Sequence, residues 1–359
     1  MGISEKIARL IRPEIRRSSA YVVPDSKGLI KLDAMENPYG WPGDIKAAWL
    51  EVLQDVELNR YPDPEPEALK RRLRETMSIP SEMQLLLGNG SDELIQTILI
   101  ALATGGSRVL APVPTFVMYE VIARNLGIEF VGVPLCSDFS LDVPAMCAAL
   151  ERTQTAVTFI ACPNNPTGNR FADADIETVV RHTSGLVIID EAYFAFTDSN
   201  FMRFATRYDN VLVIRTLSKV GLAGLRLGFL MGPAAWLHEF EKVRLPYNIN
   251  SLTQASVEFV LQHRHFLQQQ VAQLRLERNR LWSALNELPG VRAWPSETNF
   301  IMCQVPDVDA DRVAESLRVS GVLVKSLTGA SPVLRDCIRI TVGTCEENDA
   351  LLDALRATV

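Results

Sequence analysis

Residues 186–196 read LVIIDEAYFAF, and residues 211–229 read VLVIRTLSKVGLAGLRLGF. Each opens with a short run of Val, Leu and Ile that stops at a polar or charged residue. Apolar runs of this length, without alternation, mark strands buried on both faces of a parallel sheet. Runs at 85–87, 108–111, 129–133, 156–161 and 228–231 have the same character, bounded by Gly, Pro, Asn or Ser. Helix-length segments such as 92–103 and 172–183 lie between them. The alternation predicts an α/β fold whose large domain is a mostly parallel, seven-stranded sheet between helices.

The pattern changes after Arg244. Residues 251–288 read as one long helical stretch. Leu261, Leu267, Val271, Leu274 and Leu281 form its apolar stripe, and Pro289 and Gly290 end it. Beyond it, strands are expected at 291–293, 299–305, 322–324 and 337–342, with helices at 308–319 and 347–357. That is a smaller α+β domain. The expected division is an N-terminal arm over 1–35, a large domain over 36–251 and a small domain over 252–359. The arm carries Ile3, Ile7, Leu10, Ile11 and Ile15 at near-helical spacing, suited to packing on the body or on a partner subunit.

With 359 residues, 47% of them hydrophobic, the chain is long enough for two domains with sizeable cores. Its 36 basic and 43 acidic residues give a net charge of -7, which argues against nucleic-acid binding through phosphate neutralisation. No run of eighteen apolar residues occurs, so no transmembrane helix is expected. The first 17 residues lack an apolar signal core, and Glu5 and Glu14 set them apart from a transit peptide. Six scattered cysteines without a C-x-x-C pair read as free thiols in a reducing cytoplasm. Four histidines without metal-ligand spacing leave no metal expected.

Four segments carry chemistry. Lys219 follows a strand end, where open α/β sheets bind ligands, and a lysine there is suited to a Schiff base with an aldehyde cofactor. Taken alone, it also reads as a solvated loop lysine. Asp190 ends a strand of apolar residues, and a poorly hydrated carboxylate needs a cationic partner such as a protonated pyridine nitrogen. A plain turn cap is the alternative. Tyr193 lies three residues on, placed to donate to a ring oxygen. In ACPNNPTGNR (161–170), Asn165 either offers an amide to a cofactor oxygen or simply belongs to a turn. In LLLGNGSDELIQTILIAL (85–102), a glycine turn delivers Gly90, Ser91 and Asp92 to a helix N-terminus, a ready anion site.

The order of these segments resembles the fold-type I pyridoxal-phosphate enzymes, the aspartate aminotransferase superfamily, over nearly the whole chain. LDAMENPYG (32–40), RYPDP (60–64), PTFVMY (114–119), TNFI (298–301) and CIRITVGT (337–344) are similar to the histidinol-phosphate aminotransferase family in particular. The resemblance implies pyridoxal 5'-phosphate as cofactor, held by the large domain. Lys219 would carry the Schiff base and shuttle the proton, Asp190 would pair with the pyridinium, and Asn165 and Tyr193 would bond the phenolic oxygen. Phe116 would stack on the ring, where the family has tyrosine. Gly90, Ser91, Asp92, Ser218 and Arg226 would cradle the phosphate, with Thr216 a further cofactor contact. Tyr61 would reach that phosphate from the neighbouring subunit of a homodimer with shared sites.

For substrate, the resemblance implies histidinol phosphate with 2-oxoglutarate, giving imidazole-acetol phosphate and glutamate in histidine biosynthesis. Arg339 would hold the substrate phosphate, with Lys325, Tyr21, Tyr61 and Asn165 as further substrate contacts. Two more departures from the family accompany Phe116. Lys325 stands where many members have arginine, and Lys219 lies seven residues from Arg226 instead of the usual eight. An aromatic amino-acid aminotransferase, a threonine-phosphate decarboxylase and a non-catalytic cofactor-binding regulator are the rival readings. The arm is too short for the DNA-binding module the last would need.

Overall fold

The computed structural model describes residues 2–20, 22–305 and 309–358. Among these described residues, twelve strands fall into two sheets. The larger is built from β2 (Met83–Asn89), β3 (Arg108–Val113), β4 (Glu129–Pro134), β5 (Thr155–Ala161), β6 (Leu186–Asp190), β7 (Val211–Thr216) and β8 (Leu227–Pro233). Their order is β2-β8-β7-β6-β5-β3-β4, and only β8 runs against the rest. Each strand contains one of the seven apolar runs. The smaller sheet joins β1 (Ile30–Leu32), β9 (Arg292–Ala293), β10 (Phe300–Gln304), β11 (Val322–Ser326) and β12 (Cys337–Thr341) in the order β1-β11-β12-β10-β9.

Among the described residues, fourteen α-helices accompany these sheets. Through the first half they are α1 (Ile3–Leu10), α2 (Pro13–Arg17), α3 (Gly43–Gln54), α4 (Glu67–Met77), α5 (Ser91–Leu102), α6 (Met118–Leu126) and α7 (Val143–Arg152). Then come α8 (Asp173–His182), α9 (Met202–Arg207), α10 (Ala234–Glu241), α11 (Ser251–Gln262), α12 (His265–Asn286), α13 (Ala310–Val319) and α14 (Cys345–Arg356). Local signals set several ends. Asp142 caps α7 through Ala145 N, Asn250 caps α11 through Thr253 N, and Thr344 with Glu347 closes a capping box on α14. Gly127, in the left-handed region, ends α6.

Period-two packing explains why the large-sheet strands are apolar throughout. Leu186 and Ile188 of β6 face a core shared with α5, α6 and α10, whereas Val187 and Ile189 face the core under α4, α7, α8, α9 and α11. All four are buried, each side chain contributing roughly 1.5–3 kcal/mol. A third core, around Leu281, Phe300, Ile338 and Leu351, lies under the small sheet.

Two expectations need correcting. The stretch 251–288 is not one helix: it breaks at His263 and Arg264 between α11 and α12. His263 Nδ1 bonds Phe259 O, and the break needs neither Gly nor Pro. Leu261 and Leu267, on either side of the break, pack in the large-sheet core, while Leu274 and Leu281, farther along α12, reach the small one. The second is β1, which has no counterpart in the sequence reading; it lies within the stretch read as an arm and pairs in parallel with β11. Three residues are too short to carry a period. The helices α1 and α2 expose Ile3, Ile7, Leu10 and Ile11, and Arg12 bonds Asn125 O at the end of α6.

All six cysteines are free. Among the described residues no helix is long and apolar enough to cross a membrane, and no group of side chains is placed to hold a metal ion.

Candidate active site

Parallel strands present their C-terminal ends along one edge, and the segments that leave them build a cavity of about 560 Å³. Asp190 is the last residue of β6. Lys219 lies in the single 3₁₀ turn Ser218–Val220 after β7, and Asn165 in the turn after β5. Ser91 and Asp92 open α5, and Arg226 enters β8. All of these line the cavity, together with Phe116, Tyr193, Thr216 and Ser218.

Asp190 is 3% exposed. Its Oδ2 accepts from Tyr119 Oη at 2.7 Å and its Oδ1 from Ala192 N at 3.0 Å. Burial pushes its carboxyl up to about 6, while both hydrogen bonds pull the other way. Tyr119 is fully buried, stacked on Phe159 at 4.6 Å and edge-on to Phe116 at 5.5 Å. Lys219 Nζ donates to Ala34 O at 3.4 Å. Burial, then the Arg339 guanidinium, pushes this amine down to about 8, against the pull of Asp92 and Glu36. A substantial fraction is thus neutral, and nucleophilic, near physiological pH. Burial also raises the Tyr193 phenol, whose ring stands edge-on to Phe300 at 5.2 Å.

The end of the cavity at the start of α5 is shaped by close backbone approach. Gly90 has φ +88°, and a Cβ there would stand 2.6 Å from Arg226 Nη2. A Cβ on Gly228 would stand 2.7 Å from the Gly90 carbonyl carbon and Ser91 N. Thr216 Oγ1 donates to Ser218 Oγ at 3.0 Å, and Arg226 Nη1 to the same oxygen at 3.5 Å. Arg226 Nη2 lies 3.7 Å from Asp92 Oδ2. Arg226, seven residues after Lys219, adopts the left-handed region, φ 51°, and lines the same cavity.

A second cavity of about 1150 Å³ shares Met35, Phe116 and Asn165 with the first. Arg339 and Lys325 line it as register partners on β12 and β11. Arg339 Nη1 donates to Asn165 Oδ1 at 2.7 Å and Nη2 to Asp33 O at 2.9 Å, with the guanidinium 5.5 Å from the Phe300 ring centroid. Two cations beside the lysine pocket are chemically suited to holding an anion.

Among the described residues, one sequence-predicted residue is not brought here. Tyr61 lines neither cavity; it is 81% exposed and stacks on Tyr247 at 4.5 Å. Tyr21 lies outside the described residues. The sequence reading also missed two features. Tyr119 stands inside the PTFVMY motif, but nothing in that motif tells which strand end its hydroxyl meets. Glu191 and Arg215 form a buried ion pair at 2.8 Å, with Glu191 also accepting from Phe201 N at 2.7 Å. Each neighbours a cavity residue, Asp190 and Thr216, so the pair clamps β6 to β7 just where the site begins.

Comparison with known proteins agrees with this geometry. Residues 27–355 match the family described as aminotransferase class I and II. The chain is 52% identical to histidinol-phosphate aminotransferase 2 of Nitrosococcus oceani over 98% of each chain. It is 50% identical to histidinol-phosphate aminotransferase 1 of Burkholderia lata over 97% of each. Among solved structures, the histidinol-phosphate aminotransferase of Sinorhizobium meliloti in complex with pyridoxal-5'-phosphate superposes with a TM-score of 0.86 at 23% identity, covering 97% of each chain. With half of its residues shared along nearly its full length, the chain belongs to the class I and II aminotransferases, on the branch of the histidinol-phosphate aminotransferases.

Proposed function

We propose that this protein is a pyridoxal-phosphate-dependent aminotransferase of histidine biosynthesis. It converts L-histidinol phosphate and 2-oxoglutarate to imidazole-acetol phosphate and glutamate, and back. The observation that carries the substrate reading is the Arg339 and Lys325 pair, held beside Asn165 at the edge of the lysine pocket.

The residues present fit the cofactor. A helix N-terminus opened by a glycine at φ +88°, with Ser91, Ser218 and Arg226 around it, suits a phosphate. Asp190, buried and perturbed, is the acceptor a pyridinium nitrogen needs, and Lys219 is the amine an aldehyde needs. When bound, pyridoxal phosphate supplies an electron sink for the charge that develops on the substrate carbon.

The chain's own groups do the rest. Lys219, partly neutral, takes and returns the proton at the substrate α-carbon. Asp190, kept in place by Tyr119 and Ala192 N, holds the ring nitrogen proton. Arginine only donates, so Asn165 Oδ1 is spent on Arg339 and its amide NH₂ is left for the phenolic oxygen, with Tyr193 beside it. Gly90, Asp92 and Thr216 complete the phosphate end, and Phe116 covers the ring. Arg339 and Lys325 orient the substrate phosphate. The exposed Tyr61 serves the active site of a second copy in a cytoplasmic homodimer.

Absorbance of the purified protein, with Lys219→Ala beside it, tests this reading. A lysine-dependent visible band should bleach with L-histidinol phosphate and return with 2-oxoglutarate. A band indifferent to histidinol phosphate would reject the substrate assignment. Carbon dioxide release from threonine phosphate, or rapid turnover of phenylalanine, would then point to the rival chemistries. No band at all after adding pyridoxal phosphate would reject the cofactor reading.

A further inference from the structure

Among the described residues lining the cavity that contains Arg339 and Lys325, one is acidic: Glu120, in the first turn of α6. Its Oε1 accepts from Arg124, one turn along the same helix, and no hydrogen bond reaches Oε2 among the described residues. Phe116, Val117, Phe130 and Leu334 supply apolar wall around it. We propose that Glu120 recognises the imidazole ring of the amino donor and thereby sets donor specificity. This rests on the substrate reading given above.

Histidinol phosphate has three handles. Its phosphate belongs with Arg339 and Lys325, and its amine must meet the Lys219 pocket. The imidazole is left, a flat ring with an N–H donor and a second nitrogen that protonates close to neutral pH. An apolar wall with one carboxylate matches both properties. The carboxylate accepts the N–H bond and favours the protonated ring. Glu120 is half-exposed at the cavity wall, and its pair with Arg124 engages one carboxylate oxygen and leaves the other available. Glutamate, the second donor, carries a side-chain carboxylate where histidinol phosphate carries imidazole. Glu120 repels it, so the same residue attracts one donor and disfavours the other.

Opposite effects on two donors make the test. Steady-state kcat/KM is measured with the holoenzyme for L-histidinol phosphate and for L-glutamate, in wild type, Glu120→Gln and Glu120→Asp. Loss of a hydrogen bond to a charged group is expected to lower the histidinol phosphate value by about tenfold in Glu120→Gln. The glutamate value should rise in the same variant. Glu120→Asp keeps the charge and should recover part of the discrimination. Loss of both activities by one common factor, or no change in either, overturns the proposal. If wild type does not use histidinol phosphate at all, the substrate reading itself has failed, which is a separate result.

Discussion

Tyr119→Phe isolates the hydrogen bond that holds Asp190. The substitution keeps the ring stacked on Phe159 and removes only the hydroxyl 2.7 Å from Oδ2. A hydrogen bond to a buried carboxylate is worth about 2 kcal/mol, and one pH unit is about 1.4 kcal/mol, so Asp190 should move up by about 1.5 pH units. Without cofactor, wild-type Asp190 titrates at about 6. Only the ionised form can hold a pyridinium. The affinity of the variant for pyridoxal phosphate should therefore fall about fifteenfold at pH 6, about twofold at pH 7.5 and hardly at all at pH 8.5. Cofactor-stripped wild type and variant would be titrated with pyridoxal phosphate across that range. Lys219 titrates in both proteins and cancels from the ratio of dissociation constants. A ratio that stays flat with pH would refute the reasoning, because it would mean that Tyr119 supports the wall of the site without tuning its carboxylate.

Three further outcomes follow from the geometry. Asp190 has its carboxyl raised by folding, so its favourable contribution is complete below about pH 4 and lost as pH rises through 6, a cost of about 3 kcal/mol at neutral pH. Cofactor-stripped Asp190→Asn should accordingly melt several degrees above wild type at pH 7.5 and show no such gain at pH 4; equal gains at both would show that its charge is not the cause. Gly90→Ala forces a Cβ against Arg226 at φ +88° and should cost about 1–3 kcal/mol in thermal unfolding along with cofactor affinity, whereas Gly105→Ala, with nothing within 4 Å of its new methyl, should cost neither. Arg339→Lys gives up the fork that bonds Asn165 and Asp33 O together, and KM for histidinol phosphate should rise at least about thirtyfold; an unchanged KM would place the substrate anion elsewhere.

The large sheet could be read from sequence because its strands are buried on both faces. Leu186 with Ile188 and Val187 with Ile189 serve different cores, so the run is apolar throughout and stands out. Lys219, Asp190 and Asn165 were readable for a related reason: each follows such a run closely, at the edge where the sheet binds ligands. What lay outside that logic was harder to see. β1 has three residues and takes its identity from β11, nearly three hundred residues away. The break at His263 falls where both helices still pack on the large-sheet core, through Leu261 on one side and Phe266 and Leu267 on the other, and no local residue announces it. Tyr119 lies 71 residues from Asp190, and their contact depends on α6 packing over the sheet beside β6. The same helix carries the last step of the argument. Successive residues on an α-helix point about 100° apart. Tyr119 is buried against Asp190, and Glu120 lines the outer cavity with Arg339. Two adjacent positions on α6 thus face two cavities, one through the carboxylate proposed for the cofactor's ring nitrogen and the other through the carboxylate proposed for the donor's side chain. A small rotation of this helix would disturb both at once. That makes α6, a segment contributing none of the residues expected to carry the chemistry, the element that relates cofactor tuning to substrate choice.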